Sequence, residues 1–86
     1  MEIKEIKNIL KNKLQFNDIH ITNNGKYFKI TLISDIFSQL NHVQREQMIY
    51  KYLKPYIKNN SIHAISIYPY TLKEWELKNK INFKNR

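Results

Sequence analysis

Ile62-His63-Ala64-Ile65-Ser66-Ile67-Tyr68-Pro69-Tyr70-Thr71-Leu72-Lys73-Glu74-Trp75 is the stretch on which the fold turns. Its first seven residues alternate, with His63, Ile65 and Ile67 on one face and Ile62, Ala64, Ser66 and Tyr68 on the other, the period of a β-strand. Pro69 is expected to stop that strand, because proline has no backbone N–H to give to a ladder. Thr71 and Glu74 have the spacing of a capping box, in which hydroxyl and carboxylate satisfy free amides at a helix start. A short helix carrying Trp75 is expected next, and residues 78–86 read as a polar, basic tail expected to fray.

Upstream of this stretch, Asn41 has the character of an N-cap. A helix is expected from His42 or Val43 to Ile57, with Ile49, Leu53 and Ile57 in an i, i+4 stripe. Pro55 predicts a kink or a break into two short helices. Before it, Ser34 to Asn41 reads as a loop with Phe37 or Leu40 tucked in. Ile19-His20-Ile21-Thr22 alternates into Asn23-Asn24-Gly25, a tight-turn signal because Asn and Gly tolerate positive φ. Tyr27 to Ser34 follows as the second arm of a hairpin, with Phe28, Ile30 and Leu32 on one face. At the start, Ile3, Ile6, Leu10 and Leu14 form the stripe of an amphipathic helix over Glu2 to Leu14.

The order is therefore α-β-β-α(α)-β-α, an α+β fold with a small three-stranded mixed sheet. After the hairpin, a strand reached through a helical crossover is expected to lie parallel to one hairpin strand. The 86 residues make one domain, with a core at about 2–77.

Composition narrows the chemistry. The chain has no cysteine, so disulfides and thiolate metal sites are excluded. No apolar run reaches the roughly 18–20 residues that span a bilayer. Met1-Glu2-Ile3-Lys4-Glu5 lacks an apolar signal region, so a cytoplasmic location without membrane attachment is expected. The formal charge of +8 invites a nucleic-acid reading. Against it, 13 Lys stand beside 2 Arg, with 11 Asn and 14 Ile, the bias an AT-rich genome imposes anywhere. Readers of phosphate favour Arg where bidentate contacts matter. No Ser, carboxylate or His has the neighbours of a catalytic constellation, so no enzyme is expected.

Without cysteine, imidazole is the principal transition-metal ligand this chain offers, and its three histidines leave at least one position of a four-coordinate site to another donor. From the residues alone, His63 is either a structural histidine or a ligand whose other partners come from another protein. His20, between Ile19 and Ile21, reads as an edge residue or as a second ligand. Arg45 reads as an exposed helix charge or as a contact to a carboxylate or to glutathione on a partner. Tyr50, Tyr68, Tyr70 and Trp75 make either a docking face or a small secondary core.

The order of elements, with Arg-x-x-Met-Ile-Tyr-x-x-Leu (Arg45 to Leu53) and Ile-His-Ala-Ile-Ser-Ile-x-x-Tyr-Thr-x-x-Glu-Trp (Ile62 to Trp75), resembles the BolA family, and the short hairpin its IbaG branch. The resemblance runs from Ile3 to Trp75. It implies a fold related to the class II KH domain. It further implies a non-enzymatic, cytosolic partner of monothiol glutaredoxin in [2Fe–2S] handling and stress response. His63 is then the expected iron ligand of a cluster shared with glutaredoxin and glutathione, with no cofactor in the isolated protein and a monomer or weak homodimer in the apo form. Arg45, Tyr70 and Trp75 are the candidate partner interface. Three family features are absent: the longer loop that carries a second ligand is here a tight turn, and a histidine usual before the second-strand phenylalanine is Tyr27. A glycine usual after the strand-to-helix connection is Gln39. A neutral imidazole in place of a thiolate raises a cluster's reduction potential and makes it acid-labile, because protons compete with iron.

The second reading is a DNA-binding regulator with a basic KH-like surface. KH domains cradle phosphates on a Gly-x-x-Gly loop, and Gly25 is the single glycine here.

Overall fold

The N-terminal stripe closes as predicted. Helix α1 spans Ile3–Lys13 and buries Ile6 and Leu10, with Ile3, Ile9 and Leu14 packed at the margin. At its start the Glu5 carboxylate accepts from the Glu2 amide at 3.0 Å, and Lys11 and Lys13 sit in the last turn, where the helix dipole favours cations. This is a computed structural model, and it describes residues 1–25 and 27–84, with side chains as far as residue 80.

Strand β1 (Asp18–Asn24) runs further than the alternating core of Ile19 to Thr22 suggested, and pairs antiparallel with β2 (Tyr27–Ile33). The strands meet at Asn24 opposite Tyr27, and Gly25 has φ +66°, the left-handed region that a Cβ disfavours. An added Cβ there meets nothing within 4 Å. Gly25→Ala is therefore expected to cost only the conformational penalty, about 1–2 kcal/mol, readable as a shifted urea midpoint at constant m.

After β2, Ser34 takes two roles. Its hydroxyl donates to the Gln15 carbonyl at 2.6 Å and accepts from the Ile36 amide at 3.3 Å. This turns Asp35–Phe37 into a short 3₁₀ element that drives Phe37 fully into the core.

Helix α2 (His42–Lys58) is one continuous helix. The predicted break at Pro55 does not occur. Pro55 and Lys51, the residue whose carbonyl it leaves without an amide, are both exposed, so that carbonyl stays open to solvent rather than buried unpaired. Asn41 caps the helix as expected, and Gln44 returns the bond to form a full capping box.

Strand β3 occupies Ala64–Tyr70 and pairs parallel with β2, giving the sheet order β1-β2-β3. Two expectations are corrected here. Ile62 precedes the strand and is fully buried, its amide bonded to the Tyr56 carbonyl at 2.9 Å, rather than sharing a face with Ser66 and Tyr68. Pro69 also lies inside the strand, opposite Leu32. β3 is an edge strand. The Tyr70 carbonyl accepts from the Ser34 amide at 2.8 Å on the β2 side, whereas the Pro69 carbonyl faces Arg45 on the outer side. Alternation puts the proline nitrogen on the free edge, where no ladder bond is lost.

Helix α3 spans Leu72–Lys84, well beyond the short helix expected, and absorbs most of the predicted tail; Asn85 and Arg86 lie outside the described residues. Glu74–Lys78 and Glu76–Lys80 have the i, i+4 order that supports an exposed helix, and no Pro or Gly interrupts it. Helices α1 and α2 cover one sheet face, where Ile21, Phe28, Ile30, Leu32, Ile49 and Leu53 form the core. Among the described residues no helix is long and apolar enough to cross a membrane.

Candidate functional site

The register fixes what the other sheet face presents. Reading across β1, β2 and β3, one row is His20, Thr31 and Tyr68, the next Thr22, Lys29 and Ser66, the next Asn24, Tyr27 and Ala64. The rows between them (Ile21, Ile30 and Ile67, for example) face the helices. The sheet thus has an apolar inner side and an outer side of polar, basic and aromatic residues.

His63 stands at the end of this outer side, immediately before β3 begins, and is exposed. Its ring meets that of Tyr27 edge-on, with centroids 5.2 Å apart. The other two histidines are engaged by carboxylates: His20 with Asp18 at 3.1 Å, and His42 with Glu46 at 2.5 Å across one helical turn. His63 is in no ion pair among the described residues. No group of three or more His, Cys, Asp or Glu that could hold a metal ion occurs among the described residues. The donor set fits one exposed imidazole offered to a shared site and does not fit a resident cluster.

His20 is not beside His63. It lies across the sheet from Tyr68, four residues along from Ala64, which is roughly 13 Å along the strands and roughly 10 Å across them. Its ring stacks on Trp75 with centroids 5.7 Å apart and planes at 27°. Trp75 also packs on Tyr70, centroids 5.3 Å apart. Both residues are partly buried, so these two members of the expected interface hold α3 against the sheet. Tyr50 lies elsewhere, in a groove of about 560 Å³ between α2 and the outer edge of β3, with Val43, Ile67 and Tyr68.

Arg45 corrects an expectation. It is not an exposed helix charge, since its side chain is 11% exposed. Nε donates to the Leu40 carbonyl at 2.9 Å and Nη1 to the Pro69 carbonyl at 3.5 Å. Two further bonds reach Glu74, at 2.6 and 3.2 Å, and the guanidinium carbon lies 5.8 Å from the Phe37 ring centroid. Glu74 is at the same time the capping-box carboxylate, accepting the Thr71 amide at 2.9 Å while its own amide donates to Thr71 Oγ1 at 3.2 Å. The Arg45 hydrogen bonds first, and the Thr71 amide second, hold the Glu74 carboxyl down at about 2. The guanidinium ties the start of α2, the end of β3 and the start of α3 together. The Thr71–Glu74 pattern was readable locally. Its partner 29 residues upstream carries no local signal.

Comparison with known proteins agrees with this architecture. A family model described as BolA-like protein matches residues 3–74. A protein of Buchnera aphidicola subsp. Baizongia pistaciae is 51% identical over 73 residues, covering 85% of this chain and 92% of its own. The acid stress protein IbaG of Escherichia coli K12 is 35% identical over 82 residues, covering 95% of this chain and 98% of its own. Among solved structures, a bol-like protein from Babesia bovis superposes with a TM-score of 0.80 at 22% identity, covering 92% of this chain and 94% of that one. With the strand order and the match over residues 3–74, this chain belongs to the BolA-like protein family, on its IbaG-like branch.

Proposed function

We propose that this protein is a non-enzymatic, cytoplasmic partner of a monothiol glutaredoxin, giving one imidazole from His63 to a [2Fe–2S] cluster whose other ligands come from glutaredoxin and glutathione. The observation that carries the reading is the state of the three histidines: His20 and His42 are engaged by carboxylates, and His63 is exposed and free of ion pairs among the described residues. A neutral imidazole is a competent iron ligand. The edge-on contact with Tyr27 limits how the ring swings, so less freedom is lost on binding. When bound, the cluster supplies electron transfer or is itself the cargo; the part of this chain is to present one nitrogen and the surface around it.

The test mixes the purified protein with a monothiol glutaredoxin, glutathione, iron and sulfide. A visible absorption and circular dichroism spectrum distinct from that of glutaredoxin alone supports the reading. A spectrum identical to that of glutaredoxin alone sinks it.

A further inference from the structure

We propose that the open edge of β3 takes up an extended peptide of alternating aliphatic and acidic residues as an added strand of the sheet, seated in the groove against α2.

Strand β3 pairs with β2 on one side, and no strand covers its other edge among the described residues. The Ser34 amide donates to the Tyr70 carbonyl on the β2 side, so alternation turns the N–H and C=O groups of Ile65 and Ile67 to the free edge. Edge strands are ordinarily blunted by charge or by proline. Here proline protects one end, where Arg45 also takes the Pro69 carbonyl, and Ala64–Tyr70 carries no charged side chain. Ile65 and Ile67 point to the helical side yet are only partly buried, because α2 stands off and leaves the groove of about 560 Å³ open. Its helical wall includes Val43, 61% exposed, and Tyr50, 40% exposed. Strand addition needs main-chain groups for affinity and pockets for alternate side chains, and this groove joins the two.

The register dictates which side chains the occupant carries. Residues of an added strand point alternately toward α2 and toward the outer face. Those toward α2 meet Val43, Tyr50 and Ile67, surroundings that suit Val, Ile or Leu. Those toward the outer face meet Ser66 and Tyr68. Lys29 is paired across from Ser66, with Nζ 5.1 Å from the Tyr68 ring centroid. It is in no ion pair among the described residues, so a carboxylate is favoured beside it. The one carboxylate lining the groove, that of Glu46, is engaged by His42. A second copy of the chain offers the same free edge, but two chains of charge +8 repel each other. An acidic peptide is attracted instead. From Ile65 to Tyr68 is roughly 10 Å of strand, room for roughly four peptide residues. Neither His63 nor a metal takes part, so this proposal and the cluster reading fail independently.

The probe is a short fluorescein-labelled peptide alternating glutamate and valine, blocked at both ends and titrated by fluorescence anisotropy. Saturable binding is expected, with slowed amide hydrogen exchange at Ile65 and Ile67. N-methylation of the valines alone and of the glutamates alone should differ: the set whose amides face β3 loses affinity by about tenfold or more, and the other set retains it. Oligoglutamate should bind at least about tenfold more weakly, having no apolar side chains for the groove. Val43→Asp, a charge placed in the apolar wall at an exposed position, should weaken binding by about tenfold or more. Lys29→Ala should weaken it about twofold to fivefold at low salt, the worth of an exposed ion pair. His63→Ala should leave affinity within about twofold, as for a residue outside the contact. No binding, equal affinity for oligoglutamate, equal effects of the two methylations, or unchanged exchange at Ile65 and Ile67 would overturn the proposal. So would a dimer of the protein alone, seen by sedimentation, that Val43→Asp dissociates, because a second copy is then the occupant.

Discussion

His63→Ala is expected to abolish the mixed cluster signal with monothiol glutaredoxin completely, while changing folding stability by no more than about 0.5 kcal/mol, as for most exposed substitutions. The loss is expected to be complete because, among the described residues, no group of potential ligands stands beside His63. There is no cysteine, no cluster of three potential ligands among the described residues, and His20 lies across the sheet, stacked on Trp75. The rescue is as informative as the loss. His63→Cys restores a donor but adds a negative charge to the cluster, so it should regain the visible spectrum with a lower reduction potential. A redox titration of the two complexes reads that difference. If His63→Ala keeps the mixed spectrum unchanged, His63 is not the ligand.

Arg45→Ala is expected to lower stability by about 2–3 kcal/mol, since hydrogen bonds to a charged group are worth roughly 1.5–3 kcal/mol each but are not additive. For a domain of this size that is a fall in Tm of roughly 10–20 °C. The change strips partners from the Leu40 and Pro69 carbonyls and leaves Glu74 without its counter-charge. Arg45→Lys should rescue little, because a single ammonium cannot reproduce a forked contact to a carboxylate and two carbonyls. The pH dependence has a definite sign. The Glu74 carboxyl sits at about 2 in the folded protein against an ordinary 4.5. Its share of the stability is thus fully present above about 4.5 and is lost as the pH falls towards 2. Glu74 is 45% exposed, so solvent screening keeps that share modest. Urea unfolding of wild type and Arg45→Ala should show a gap that is constant near neutrality and narrows in that acid window. A gap independent of pH down to about 2 would mean that Arg45 acts through its carbonyl bonds alone.

What was legible in the sequence was whatever has a short period or a fixed local offset. The stripe of Ile6 and Leu10, the inward face of Phe28, Ile30 and Leu32, the Asn41 cap and the Thr71–Glu74 box all depend on neighbours within four residues. What was misread depends on tertiary placement. Pro69 looks like a strand breaker until β3 is known to be an edge, where its nitrogen has no partner to lose. Pro55 looks like a helix breaker until its position is seen to be exposed. Arg45 looks like a surface charge until Pro69 and Glu74, 24 and 29 residues away, converge on it. The end of α3 is different: the Glu74–Lys78 and Glu76–Lys80 spacing supports the helix, while the polarity of the segment alone reads as a frayed tail. For the candidate site, the resemblance points to His63 by its place before the last strand. Its contact with Tyr27, and the carboxylate partners of His20 and His42, need the register of three strands and the pitch of a helix.

The most direct measurement on the central claim is pulsed electron paramagnetic resonance of the reduced complex between this protein and a monothiol glutaredoxin. A nitrogen directly bound to iron gives a strong ¹⁴N hyperfine coupling that thiolate ligands cannot. The expected result is such a coupling in the wild type, changed by uniform ¹⁵N labelling of this chain alone and absent in His63→Cys. A reduced cluster with no coupling from this chain, or one that persists in His63→Cys, would contradict the assignment of His63 as the ligand.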